Sequence, residues 1–354
     1  MNPFTFTSHP SRVIFGSGTL EQLPQEVSRL GLERVLVLAT PPQKDEAAVV
    51  AERIGQSAAG VFSGAVMHTP VEVTEAALKI VKELKIDGLV AVGGGSTTGL
   101  AKAIALRTDL QQIVAPTTYA GSEMTPILGE TKDGVKVTQS SPKILPEVVI
   151  YDVDLTLTLP VALSVTSGVN AIAHAVEALY AKDRNPIMSL LATEAIAKLV
   201  GALPRIVENS ADVEARSDAL YGAWLCGTCL GSVGMALHHK LCHTLGGTFD
   251  LPHAETHTAL LPHALGYNAP AAPEAMAALR KILGADPALA LYDLPAKLGA
   301  KMALRDLGMP FDGIELATDR ALANPYWNPR ALEREAVRDL IARAWAGAPP
   351  QTDS

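Results

Sequence analysis

Along the first half of the chain, short aliphatic runs alternate with stretches whose apolar residues recur every three or four positions. RVLVLAT, residues 34–40, is an unbroken aliphatic run closed by Pro41-Pro42, the pattern of a strand buried on both faces. AAVVAERIG then has helical spacing, and GVFSGAV, residues 60–66, reads as the next strand. VTEAALKIVKELKI predicts an amphipathic helix over Val73–Ile86. A strand at Gly88–Val92, a run of glycines, a helix from about Thr97 and a strand at QIVAP follow. Ahead of these, TFTSHPSRVIFGSGTLEQL predicts an extended segment, a turn at Gly16–Gly18 and a helix. Strands alternating with helices imply a parallel sheet covered on both faces.

From about Leu159 the strand pattern stops. Long Ala/Leu-rich stretches divided by Pro or Gly, such as PIMSLLATEAIAKLVGALPRIV, predict helices to the end of the chain. The expected architecture is an α/β dinucleotide-binding domain with a Rossmann-like parallel sheet over residues 1–158, then an all-helical catalytic domain over 159–354. A cleft between two such domains is where a site is expected.

Composition narrows the function classes. Hydrophobic residues make up 48% and charged residues 19% of the 354, which marks a compact globular chain. The formal net charge is −8 and no run of Lys or Arg occurs, so a basic stripe for nucleic acid is excluded. Cys226, Cys229 and Cys242 lie in apolar surroundings and read as packing residues. No signal peptide and no membrane span are expected, and a reduced cytoplasmic location fits.

Five of the nine histidines fall within HHKLCHTLGGTFDLPHAETH. His239 and His243 are four apart and share a helix face, which Gly246-Gly247 are expected to end. His253 follows beyond that turn, and Asn170 and His174 repeat the four-residue spacing upstream. Two helices thus present imidazole and amide groups as a candidate catalytic centre. In the first half, Gly94, Gly95 and Ser96 stand at a strand-to-helix junction, where bare backbone and a helix N-terminus suit a pyrophosphate. Thr117 and Thr118 add hydroxyls after the next strand. Thr40 stands where a carboxylate often reads the adenosine ribose, so loose discrimination between NADH and NADPH is expected. Tyr326, in NPYWNPR, is a candidate substrate contact, whereas His238 and His257 read as structural or surface residues.

FGSGTLEQL, GGGSTTGLAK, PTTYAGSEMTP, SPKILPEVVIYDVDLTLTLP, SGVNAIAHAVEA and HKLCHTLGGTFDLPHAETHTALLPHALGYN, taken in order, resemble the iron-containing alcohol dehydrogenase family. That family is related in fold to dehydroquinate synthase. PTTYAGSEMT, HHKLCHTLGGTFDLPHAETH and ANPYWNPR look closest to the subgroup that reduces the conjugated C=C bond of 2-maleylacetate to 3-oxoadipate in aromatic-ring catabolism. The resemblance implies a pyrophosphate loop at Gly94, Gly95 and Ser96, a second cofactor loop at Thr117, Thr118 and Ser122, and Lys136 near the nicotinamide ribose. It puts the metal-ligand positions, an Asp and three His, on Asn170, His174, His239 and His253, and a further active-site histidine on His243. It also implies a homodimer.

Three departures from the family pattern stand out. Asn170 replaces the Asp, Gly99 replaces a usual Asp after the glycine loop, and the loop at Tyr119 is one residue shorter. A neutral amide binds a divalent cation less well than a carboxylate, so no metal is expected. The expected cofactor is NADH, with NADPH also accepted, and the expected partner is a small dicarboxylate held by His174, His239, His243 and His253. His243 is the expected proton donor to the α-carbon. The rival readings are a metal-dependent (Fe or Zn) NAD(P) alcohol dehydrogenase and an NAD-using lyase like dehydroquinate synthase. Metal content separates the first, and net NADH consumption the second.

Overall fold

The computed structural model describes residues 4–9, 11–132 and 135–351. The chain forms two compact units, one of Ser8–Leu159 and one built from Pro160 onward, to which residues 4–7 also belong.

The first unit is organised by a parallel sheet. Its strands are β1 (Arg12–Gly16), β2 (Val35–Leu38), β3 (Ala58–Phe62), β4 (Gly88–Gly93), β5 (Gln111–Pro116) and, after a hairpin, β8 (Val148–Asp152). They lie in the order β1-β8-β5-β4-β2-β3, every neighbouring pair parallel. The hairpin pairs β6 (Ile127–Lys132) with β7 (Val135–Ser140) antiparallel. Helices α1 (Leu23–Arg29), α2 (Lys44–Ile54), α3 (Val71–Glu83) and α4 (Gly95–Thr108) cover the sheet. Strand periodicity decides which face each residue serves. Val35 and Val37 pack with Leu23, Val27, Val50 and Ile54, whereas Leu36 and Leu38 pack with Ala77, Val81, Leu100 and Ile104. Both faces are therefore dry, as the unbroken aliphatic runs predict.

The second unit is helical: α5 (Val161–Leu179), α6 (Pro186–Glu208), α7 (Val213–Ser232), α8 (Leu237–Phe249), α9 (His253–Asn268), α10 (Pro273–Leu283), α11 (Pro287–Lys297), α12 (Gly313–Ala323) and α13 (Arg334–Ala346). Leu237, Leu241 and Leu245 of α8 share a core with Leu260, Ile314, Val337 and Ile341. One described helix, α6, is long and apolar enough by composition to cross a membrane, a test that a buried core helix also passes. Met188, Ala192, Ala195, Ile196, Leu199 and Leu203 give it a fully buried face.

The helix through His239 and His243 also differs from the sequence reading. Gly246 and Gly247 lie inside α8, which ends at Phe249 with Asp250 left-handed at φ 52°. Asp250 N–H donates to the Gly246 carbonyl at 3.0 Å, closing the last turn. Packing of Leu241 and Leu245 carries the helix through the glycines despite their low propensity.

Candidate active site

Helix α5 contributes Asn170, His174 and Glu177 from its buried length. Asn170 and His174 are each only 3% exposed, and Asn170 Oδ1 and His174 Nδ1 have no hydrogen-bond partner among the described residues. Glu177, one turn further on, is fully buried and accepts three hydrogen bonds. These come from Ala236 N–H (2.8 Å), His238 N–H (2.8 Å) and His239 Nδ1 (2.7 Å). The first two donors open α8, so the carboxylate sits at the positive end of that helix. Burial pushes the Glu177 carboxyl up from its ordinary range, while nearby His238 and the three donors pull it down. Three donors and no acceptor fit the ionised form.

That contact fixes His239. A proton on Nδ1 shared with Glu177 leaves Nε2 as a lone-pair donor, and Nε2 is buried without a partner among the described residues. The His239 ring lies 5.0 Å from that of His174, 5.1 Å from His257 and 6.1 Å from His243. His253, at the start of α9, lies 4.3 Å from His257. Burial first, and neighbouring imidazoles second, hold His174, His239 and His257 well below the ordinary histidine range. His174, His239 and His257 are therefore neutral imidazoles, the form that binds metal.

His243 stands at the edge. Its Nδ1 is 3.0 Å from the Tyr326 hydroxyl. The segment carrying Tyr326 is clamped by Asn328, whose amide donates to Asn268 (2.7 Å) and accepts from Leu237 N–H (3.3 Å). Burial raises the Tyr326 hydroxyl above its ordinary value, so it stays protonated. The structure thus brings His174, His239, His243 and His253 close together, with Tyr326 beside His243. It adds Glu177 and His257, which sequence reading left out or assigned elsewhere. The signal for Glu177 was its place three residues after His174 on the same helix face.

In the first unit, Gly93 has φ +154° and a Cβ there would meet Gln43 Oε1 at 2.9 Å. A Cβ on Gly94 would meet Thr118 Cγ2 at 2.9 Å, so both positions require bare backbone. Gly95 and Ser96 open α4, and Thr117 N–H donates to the Gly93 carbonyl at 3.0 Å, which ties the second loop to the first. Gln43, absent from the sequence reading, accepts from the Thr40 hydroxyl (2.9 Å) and donates to Thr117 Oγ1 (3.3 Å). Gly99 also has a reason to lack a side chain: a Cβ there would overlap Thr69 Oγ1. Ser122 lies on the second loop, its Oγ buried without a partner among the described residues. The backbone of Lys136 runs in β7, and its side chain lies outside the described residues. Glycines, hydroxyls and a helix N-terminus at the carboxyl edge of a parallel sheet fit a nucleotide pyrophosphate.

Profiles of the iron-containing alcohol dehydrogenase match residues 10–153, and of the C-terminal part of the Fe-containing alcohol dehydrogenase family residues 164–345. The chain belongs to the iron-containing alcohol dehydrogenase family. A maleylacetate reductase from Rhizobium sp. strain MTP-10005 is 56% identical across 99% of this chain and 100% of its own. The crystal structure of maleylacetate reductase from Agrobacterium tumefaciens superposes with TM-score 0.95 at 56% identity, covering 99% of this chain and 100% of that one. An iron-containing alcohol dehydrogenase from Corynebacterium glutamicum gives 0.92 at 43% identity, covering 97% of each chain.

Family membership corrects the expectation that no metal is bound. An iron-containing family, with a solved iron-containing relative at 43% identity, implies a metal ion. The donors fit one. Asn170 lacks charge, but its Oδ1 and the buried Nε2 of His239 are lone-pair donors without partners among the described residues, and Glu177 orients His239 from behind. The neutral, desolvated imidazoles supply lone pairs that offset the missing charge at Asn170. His238, His239 and His257 have donor atoms within 4.8 Å of one another, a second geometric grouping. His238 Nε2 is engaged by the His257 carbonyl at 3.0 Å, which leaves its Nδ1 as the available ring nitrogen.

Proposed function

We propose that this chain is an oxidoreductase that reduces the conjugated C=C bond of 2-maleylacetate to 3-oxoadipate with a nicotinamide hydride. The observation that carries the reading is full-length likeness, 56% identity over 99% of the chain, to a relative named maleylacetate reductase. The site's chemistry supports it.

Hydride from the reduced nicotinamide adds to the carbon β to the ketone. The alkene electron pair then moves onto the ketone oxygen as an enolate, and a proton to the α-carbon completes the reduction. Hydrogen-bond donors placed at that oxygen are worth about 3 kcal/mol each. As the imidazolium, His243 donates from Nδ1 to the Tyr326 hydroxyl oxygen and holds its second proton on Nε2 for transfer to the α-carbon, which leaves neutral imidazole. His243 is the donor in this reading, and Tyr326 orients its ring. Asn170, His174, His239 and His253 would hold the metal. A divalent cation bound there supplies Lewis acidity toward the ketone oxygen, and an amide ligand neutralises none of its charge. Gly94, Gly95 and Ser96, with Thr117, Thr118, Ser122, Lys136 and Thr40, would hold NADH or NADPH. A homodimer in the cytoplasm belongs to the same proposal, and buried free Cys226, Cys229 and Cys242 suit a reducing compartment.

The test is NADH absorbance during turnover with 2-maleylacetate. One NADH consumed per 3-oxoadipate formed is the expected result. Turnover without net consumption would establish the lyase reading, and preference for primary alcohols with NAD⁺ the alcohol dehydrogenase reading.

A further inference from the structure

Lys240 follows His239 on α8. It lies three residues before His243, so the two share a helix face. Its Nζ stands 5.6 Å from the centroid of the Tyr326 ring, the residue whose hydroxyl reaches His243. The side chain is half-buried, and no carboxylate pairs with it among the described residues. The nearby acid, Glu177, is fully buried and occupied by three donors on α8.

An unpaired ammonium held over an aromatic face is partly desolvated, and contact with the ring compensates little of that loss. A carboxylate arriving from solvent restores a strong partner. Helix α8 thereby carries the orienting contact of Glu177 through His239, the His243–Tyr326 pair and a cation within one and a half turns.

We propose that Lys240 recognises a carboxylate of the substrate beside the histidine cluster, and so selects dicarboxylates over neutral enones. The inference rests on the reading of a dicarboxylate reductase given above and names the residue that sets its substrate class. Lys240 binds and orients; no bond is made or broken at its nitrogen. Its place on the His243 face fixes the carboxylate relative to the proton donor.

The test compares wild type, Lys240→Gln and Lys240→Arg as full-length, cofactor-supplied protein. Gln keeps the stem against Tyr326 and removes the charge, whereas Arg keeps the charge. Binding of 3-oxoadipate by calorimetry is read alongside KM and kcat for 2-maleylacetate and KM for NADH. Loss of a charge-assisted contact predicts about a tenfold or greater rise in Kd and KM for Lys240→Gln, with kcat within about twofold and KM for NADH unchanged. Lys240→Arg is expected to recover most of the affinity. Unchanged Kd and KM in Lys240→Gln with a lowered melting temperature would overturn the proposal and leave a packing role against Tyr326. Equal losses in Lys240→Gln and Lys240→Arg would overturn it too. If wild type binds 3-oxoadipate but consumes no NADH with maleylacetate, the functional reading fails, while the calorimetry still decides the role of Lys240.

Discussion

Each unit buries an acid and a base together, and the two clusters have been finished differently. In the first, Lys102 is 1% exposed, and its ammonium donates to the carbonyls of Ser122, Thr125 (2.7 Å) and Ile127 (2.9 Å) and to the Thr125 hydroxyl (2.9 Å). Its neighbour Glu123, equally buried, accepts from the Tyr151 hydroxyl at 2.8 Å. Burial lowers Lys102 to about 7 and raises Glu123, yet every polar atom named has a partner. In the second, Glu177 is equally well served, but the imidazoles around it are not. His174 Nδ1, His239 Nε2 and both nitrogens of His257 are buried without partners among the described residues. Buried polar groups are normally satisfied, so a cluster that leaves several unsatisfied is kept for something other than stability. The Lys102 cluster holds the loop after β5; the His239 cluster leaves lone-pair donors of the kind the proposed function needs.

Substitutions should separate the two roles. The largest effect on the fold is expected from Lys102→Met, which strips the loop carbonyls of their donor and leaves Glu123 without its counter-charge. Removing one partner of a buried pair costs about 3–5 kcal/mol, to be measured by denaturant unfolding. A stability change under about 1 kcal/mol would break the contrast.

Next comes an acid test on the helical unit. His263 is 3% exposed on α9, and burial, then Arg343, lower it from 6.5 to about 4. The unfolded state therefore binds the extra proton between about pH 6.5 and 4, so stability falls as pH drops through that window, by about 3 kcal/mol in all. In His263→Leu the slope should become shallower by the share of that one proton in unfolding curves taken at successive pH values, the rest coming from His174, His239 and His257. If the slope is unchanged, His263 is not its source.

Glu177→Gln replaces the ionised acceptor behind His239 and is expected to weaken metal affinity and turnover by about 10- to 100-fold. Metal content and kcat on the same preparation check this. The smallest effect belongs to Tyr326→Phe. Loss of one hydrogen bond to His243 predicts a fall in kcat of roughly fivefold, about 1 kcal/mol, in steady-state assays.

Much of the fold was legible because its cause is local. Aliphatic runs such as VLVL and GLVAV can satisfy both faces of a sheet only as central strands, and they became β2 and β4. The β6–β7 hairpin carried no such pattern: ILGETK and VKVTQS place Gly, Thr and charged residues among few apolar ones. β3 runs over Ala58–Phe62, so it ends four residues earlier than the expected 60–66. At the site, helical spacing exposed Asn170 with His174 and His239 with His243. Glu177, Lys240, Gln43 and Thr69 stayed hidden because their meaning depends on partners distant in sequence. Glu177 meets His239 across 62 residues, and Gln43 meets Thr117 across 74. The metal expectation failed for a related reason: the charge of Asn170 is visible in the sequence, whereas the desolvation of the neighbouring imidazoles is not.

One variant tests the contrast most directly. In His239→Asn the amide nitrogen falls near the place of Nδ1 and preserves the third donor to Glu177, while the unpartnered Nε2 is deleted. The measurement is maleylacetate-dependent NADH oxidation per folded molecule, with folding read from the melting curve of the same sample. A fall of about 100-fold or more with a melting temperature near that of wild type is the predicted result. Near-normal turnover per folded molecule, with the melting temperature sharply lowered, would show that His239 serves the fold and would contradict the account.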